Sequence, residues 1–227
     1  MGRGLEIGNP PIPVEMRRSA RARRLSLRVS RLDGKVTLTL PPRAPERQAM
    51  AFLAEREAWL RGHLSEIAAP VRAVPGAVIP VEGREVLLAE APARRPVRDG
   101  DRLLVPRGAG SAAVAGYLKA LARDRLAAAS DRHAAALGVG YARLTLRDTR
   151  SRWGSCTSAG GLMYSWRLVM APPEVLDYVA AHEVAHLIEM NHGPRFWALV
   201  DRRVPDWKRH RLWLRDCGDR LHAVRFE

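Results

Sequence analysis

Residues 175–193 read VLDYVAAHEVAHLIEMNHG, and the block His182-Glu183-Val184-Ala185-His186 at their centre governs how the rest of the chain is read. Val175, Leu176, Val179, Ala180, Val184, Leu187 and Ile188 make the segment apolar on most sides, which predicts a buried helix opened by Pro172-Pro173 and running to about Met190. Four residues apart on a helix, the His182 and His186 imidazoles lie one turn above each other on the same face, so both can point nitrogen at one metal ion. Glu183 projects about 100° further round, where it misses the metal but can reach a water bound to it. Zinc lowers the pKa of such a water to about 7, and the carboxylate takes its proton as the water attacks a polarised carbonyl.

With 7 His and 13 Glu in 227 residues, this pattern is expected by accident roughly 0.01 times, so chance is a weak competitor. The bland alternative is a pair of core histidines bonded to backbone. A catalytic zinc site needs a third protein ligand and an open fourth position. His192 is the best candidate. The spacing His182-x3-His186-x5-His192 equals that of the metzincins, although their helix-ending Gly falls here on Glu189. Asn191 and Gly193 can adopt left-handed conformations, which would end the helix and swing His192 back toward the metal. Cys156 is a rival third ligand, ranked lower because its separation of 26 residues from His182 fixes no geometry. A papain-like reading of Gly154-Ser155-Cys156 fails, since Trp153 precedes the Gly instead of following the Cys.

Outward from this block, the expected fold class is α+β. Leu25, Leu27 and Val29 alternate with polar residues, as do Val36, Leu38 and Leu40, and Asp33-Gly34 lies between them, a hairpin signal. One helix is expected from about Pro45 to His63, short strands at Ala77–Val81, Glu85–Ala89 and Arg102–Val105, and a helix from Ser111 to Leu137 that stops at Gly138. Strands at Arg143–Arg147 and Leu162–Arg167 flank a loop over 150–161, and a further helix starts near Pro194. Gly2, Gly4, Gly8, Pro10, Pro11 and Pro13 predict an irregular tail over residues 1–15. The expected organisation is that tail, a β-rich part with one helix over 16–110, and a catalytic part over 111–227. No sequence repeat is visible.

At 47% hydrophobic and 27% charged, the chain can bury one large core or two small ones, which excludes disorder for most of it. Its apolar runs fall far short of the roughly 20 residues that cross a bilayer, and Met1 to Pro13 lacks the apolar stretch of a secretory signal. Two cysteines make no disulfide framework, so the expected compartment is the cytoplasm. The net charge is +14, but only three of the 38 basic residues are lysines, and an Arg- and Ala-rich composition can reflect base composition. A local patch is therefore more informative than the total. The densest run is Arg17, Arg18, Arg21, Arg23, Arg24, Arg28 and Arg31, which could contact nucleic-acid phosphate or shield strand edges.

Several segments occur together in one order: Arg150-Ser-Arg-Trp-Gly-Ser-Cys156, Trp166-Arg167-Leu168, Ala171-Pro172-Pro173, Asp177-Tyr178-Val179, the His182–His186 block, Asn191-His192-Gly193, Phe196-Trp197 and Pro205-Asp206-Trp207. In these the chain resembles the YgjP-like metallopeptidase family, which is similar to the SprT group of zincins, over about residues 16 to 217. The resemblance implies a zincin-like core, an H-E-x-x-H helix beside a small sheet, with a β-rich N-terminal region containing hairpins. It implies one zinc ion held by His182, His186 and His192, with Glu183 as the catalytic carboxylate. Ser165 departs from the family pattern, which more often has Asn before Trp-Arg-Leu. In zincins generally such a strand can pair with an extended substrate, which would place substrate on Leu162–Trp166. Arg152 and Tyr178 are candidates for contacts with substrate or a developing oxyanion, and Phe196 and Trp197 are expected to pack behind the site.

The expected activity is hydrolysis of protein or peptide by a zinc metallopeptidase, and the SprT resemblance raises nucleic-acid-bound proteins and DNA as partners. Two alternatives stand beside it. One is a metal-dependent endoribonuclease, since the bacterial rRNA-maturation family YbeY also spaces three histidines in this way. The other is a non-enzymatic, zinc-stabilised nucleic-acid-binding module.

Overall fold

In the computed structural model, which describes residues 3–227, the chain begins with an antiparallel hairpin of β1 (Arg3–Ile7) and β2 (Ile12–Arg18). This corrects the expectation of an irregular tail over residues 1–15, of which Met1 and Gly2 lie outside the described residues. Ile12, Val14 and Met16 alternate inward and are buried, while Pro10 and Pro11 fall in the turn. Pro13 precedes the stretch of β2 that pairs with its second neighbour, so its missing N–H disturbs only the start of the strand.

The alternation after Leu25 forms the expected hairpin of β3 (Ser26–Val29) and β4 (Val36–Leu40). Its loop is closed by Gly34, left-handed at φ 70°, whose N–H donates to the Ser30 carbonyl at 2.8 Å. The sheet order is β1-β2-β4-β3, with β2 and β4 parallel. The helix expected over 45–63 is two helices, α1 (Glu46–Glu55) and α2 (Glu57–Ser65), because Arg56 leaves helical dihedrals at φ −98°, ψ 4°. They cover the sheet with Leu53 and Leu60 against Leu38 and Leu40, and this compact unit ends at Ala69.

The second unit runs from Pro70. After the two-residue β5 (Val71–Arg72), the strands β6 (Val78–Val81), β7 (Arg84–Ala91), β8 (Val97–Asp99) and β9 (Arg102–Pro106) form a sheet of order β6-β7-β9-β8. The β6–β7 turn, Glu82-Gly83, has both residues left-handed, at φ 51° and 73°. Glu82 is held there by its N–H on the Val169 carbonyl at 2.7 Å and its carboxylate on Arg125 at 2.6 Å. Helix α3 (Gly110–Leu137) ends, as expected, at the left-handed Gly138.

A three-stranded sheet follows, made of β10 (Arg143–Arg147), β11 (Gly154–Cys156) and β12 (Gly161–Ser165) in the order β10-β12-β11. A 3-10 turn over Trp166–Met170 leads to α4 (Pro173–Ala185), α5 (Pro194–Arg203) and α6 (Trp207–Ala223), and β13 (Val224–Arg225) returns to pair with β5. Leu88, Leu103 and Val105 share one core with Leu118, Tyr164 and Val179. The strands over 71–106 therefore belong with the helices that follow, and the division falls at 69/70 instead of 110/111. Among the described residues no helix is long and apolar enough to cross a membrane.

A three-histidine cluster as candidate metal centre

Helix α4 starts with Pro173 in its first turn, where a missing N–H costs nothing, and buries most of its length. It ends at Ala185, earlier than the expected Met190. His186 is the C-cap and keeps helical dihedrals at φ −66°, ψ −16°, so its ring still lies one turn from that of His182, 5.0 Å between centroids. The chain then reverses without any left-handed residue, which corrects the expectation for Asn191 and Gly193. Leu187 and Ile188 N–H groups donate to the carbonyls of Val184 and Ala185 at 3.0 and 3.1 Å, and Gly193 N–H donates to the Asn191 carbonyl at 2.7 Å. His192 is the centre of that last three-residue turn.

This turn brings His192 Nε2 to 3.1 Å from His182 Nε2, and the three residues offer ring nitrogens that all lie within 4.8 Å of one another. Ligands about 2.0 Å from a tetrahedral zinc are about 3.3 Å apart, a value the His182–His192 pair already matches. Nδ1 of His186 faces the Glu189 carbonyl at 2.9 Å, an arrangement that places the proton there and leaves Nε2 as a lone-pair donor. Burial pulls His182 down to about 3, helped by the neighbouring His186, His192 and Arg211, and burial also lowers His186. Neutral imidazole is the form that binds metal. The buried Nδ1 of His182 has no hydrogen-bond partner among the described residues. Phe196 of α5 forms the floor, stacked on His186 at 4.4 Å and edge-on to His182 and His192 at 4.8 Å. Cys156 stands outside the cluster, with its thiol on the Thr157 carbonyl at 3.4 Å.

Glu183 is only 5% exposed, and burial pushes its carboxyl up to about 8 against the opposing charge of Arg152. It lies against β11: a Cβ at Gly154 would come within 2.5 Å of Glu183 Oε1, so glycine there makes room for the carboxylate. Beside it is a cavity of about 360 Å³ whose walls include Trp153, Tyr178, His182, Arg211 and Leu214. Tyr178 is buried, its ring 5.9 Å from His182, and burial pushes its hydroxyl up to about 12. Arg152 is exposed and reaches Glu183 through its charge.

The wall supplied by α6 escaped the sequence reading, although Trp207, His210, Leu214, Gly218 and Leu221 recur at helical spacing. That helix holds Trp153 in place. A Cβ at Gly218 would sit 2.8 Å from the indole, and His222 lies 5.1 Å from it. Burial, with Arg167 adding to it, draws His222 down to about 4. Arg167 in turn ties α6 to the sheet by donating to Asp148 at 2.6 Å and to the carbonyls of Leu221 and Val224 at 2.8 and 2.9 Å.

One other expectation comes out differently. Strand β12 is central, paired on both sides, so Leu162–Trp166 has no free edge for a substrate strand; the edge nearer Glu183 is β11. The Ser165 hydroxyl, at the position where the family more often has Asn, is buried without a hydrogen-bond partner among the described residues. Of the basic run, Arg17, Arg18, Arg21, Arg23 and Arg24 are all exposed, and the Arg18 guanidinium also donates to the carbonyls of Pro41, Pro42 and Ala44.

Matched against known families, residues 23–217 fit a metallopeptidase domain, in keeping with the α+β fold and the imidazole cluster. The family is described as YgjP-like, and the chain belongs to it. A metallopeptidase family implies a metal, typically zinc. No curated protein and no solved structure matches the chain.

Proposed function

We propose that this chain is a zinc-dependent peptidase in which His182, His186 and His192 hold one ion and Glu183 is the general base. The observation that carries this reading is the convergence of three ring nitrogens within 4.8 Å beside a buried carboxylate on the same helix, in a YgjP-like metallopeptidase domain. Zinc held there supplies a Lewis acid and lowers the pKa of coordinated water toward about 7. Glu183 accepts the proton of the attacking water and returns it to the amine that leaves. Its position against Gly154 excludes bulk water from one side of the carboxylate. An extended substrate lies along the outer edge of β11, whose backbone groups on that side are not used by β12. Tyr178 and Arg152 then face the scissile carbonyl.

Replacing Glu183 by Gln should retain zinc and lower cleavage of casein or a peptide library about 10³-fold. Metal analysis and a proteolysis assay on the same sample check it. Unchanged cleavage leaves a zinc-stabilised binding module, and cleavage of folded RNA but not casein by the zinc-loaded wild type makes the protein a ribonuclease.

A nucleoprotein substrate is a second reading, favoured by one feature of the first unit. A groove of about 320 Å³ between β3 and the helices is lined by Arg24, Arg56, Phe52 and a 40% exposed Trp59, cations and aromatic faces of the kind that bind single strands. It predicts DNA binding that weakens steeply with salt.

A further inference from the structure

We infer that the cavity beside Glu183 is a subsite for a carboxylate carried next to the scissile bond, and that Arg211 is the residue that reads it. This rests on the peptidase reading above and gives that site a substrate class. One face of the cavity is the chemistry itself, His182 and Glu183 on α4. Another wall is one stripe of α6, Arg211, Leu214 and Arg215, which the spacing i, i+3, i+4 stacks along a single side of the helix. A group bound between them lies within one residue of the bond to be cut.

The charge in this space is one-sided. Arg211 is exposed, stands over the Trp197 ring at 5.4 Å, and among the described residues has no carboxylate partner. Its side chain lines the cavity together with those of Tyr178 and His182. Arg215 lines it as a second cation, partly offset by Asp216 at 2.8 Å. Among the described residues, the only acidic side chain lining the cavity is Glu183, which the peptidase reading commits to proton transfer.

The remaining walls suit the stem of an acidic residue. Trp153, Val179 and Leu214 are apolar and would cover methylenes, while the guanidinium of Arg211 offers a fork that matches a carboxylate. The carboxylate could be an Asp or Glu side chain or the C-terminus of the substrate, and these share one recognition chemistry. Arg211 acts on binding and touches no reacting atom, so its effect belongs mainly in KM.

The test uses the zinc-loaded full chain and a peptide series that differs only beside the cleaved bond, with Glu, Gln or Lys there, each as free acid and as amide. Glu should exceed Gln about 10- to 100-fold in kcat/KM, mainly through KM. Arg211→Gln should collapse the ratio toward one, Arg211→Lys should restore most of it, and Arg211→Glu should turn the preference toward Lys. A preference confined to free-acid peptides assigns the subsite to a C-terminal carboxylate, and one that survives amidation assigns it to a side chain.

Binding of the same peptides to the Glu183→Gln protein, followed by calorimetry, separates this inference from the one beneath it. If no peptide is cleaved yet the Glu peptide binds more tightly through Arg211, the subsite stands and the peptidase reading falls. If peptides are cleaved but Glu and Gln bind and react alike, or the preference persists in Arg211→Gln, the subsite is overturned.

Discussion

Two sheets in this protein follow one plan. In the first unit β1-β2-β4-β3, and in the second β6-β7-β9-β8, two antiparallel hairpins join through a central parallel pair. In each, the turn of the first hairpin carries a left-handed glycine that rests on the start of a helix, Gly8 against Glu57 of α2 and Gly83 against Pro172 before α4. What the units bury is different. The core of the first is apolar throughout, whereas Ser130, His133, Ser165, Arg167, Glu183, His186, His210 and His222, the buried polar and charged residues described, all lie in the second. Buried polar groups are costly unless they have partners or a use. Equal strand order with unequal polar content teaches that the sheet is scaffold and that chemistry sits in the elements that follow it.

If the polar load of the second unit exists to hold a cation, the largest effect should come from removing a ligand. His192→Ala should weaken zinc by more than about 100-fold, the upper end of what changes in the outer shell cost, while Cys156→Ala retains it. Competition with a chromogenic chelator measures both. Loss of zinc in the Cys156 variant alone would break the assignment.

The two units should also separate by pH in the metal-free protein. His182 and His222 have folded values of about 3 and about 4, below the unfolded 6.5, so their contribution is complete above pH 6.5 and is lost as pH falls toward 4. Glu183, at about 8 against an unfolded 4.5, works in the opposite sense, and its contribution is lost as pH rises from 4.5 toward 8. The second unit should therefore be most stable near pH 6.5 and lose about 2 kcal/mol by pH 8. Glu183→Gln removes the alkaline decline, and His222→Phe shallows the acid one. Hydrogen exchange read by mass spectrometry follows each unit in one sample, and equal pH dependence in residues 3–69 would undo the contrast.

The smallest effect compares the two turn glycines. An alanine at Gly83 would place Cβ 2.8 Å from the Pro172 Cα, a backbone atom that cannot move aside. Gly83→Ala should cost about 1–2 kcal/mol and also slow peptide cleavage by shifting the start of α4. At Gly8 the obstacle is the end of the Glu57 and Arg61 side chains, so Gly8→Ala costs less and leaves cleavage unchanged. Thermal melts and a single peptide assay suffice.

Much of this architecture is legible in the amino-acid sequence. Alternation around Asp33-Gly34 marks the β3–β4 hairpin, the Ala-rich run and Gly138 mark α3, and helical spacing pairs His182 with His186. The β1–β2 hairpin is hidden because its prolines and glycines read as punctuation while the pairing partner of β2, β4, lies some twenty residues on. Glu82 in a left-handed turn has no local signal, since a distant carbonyl and Arg125 hold it there.

By itself, then, the sequence determined what neighbours along the chain can settle: which segments are amphipathic, where glycine ends a helix, and that two imidazoles and a carboxylate share one helix. The tertiary structure decided that β12 is paired on both sides, how His192 returns to His182, and that Arg211 from α6 lines the same cavity as Glu183. The reason is physical. Spacing within one helix is set by backbone geometry, whereas chain reversal and packing between elements depend on contacts among residues far apart in sequence.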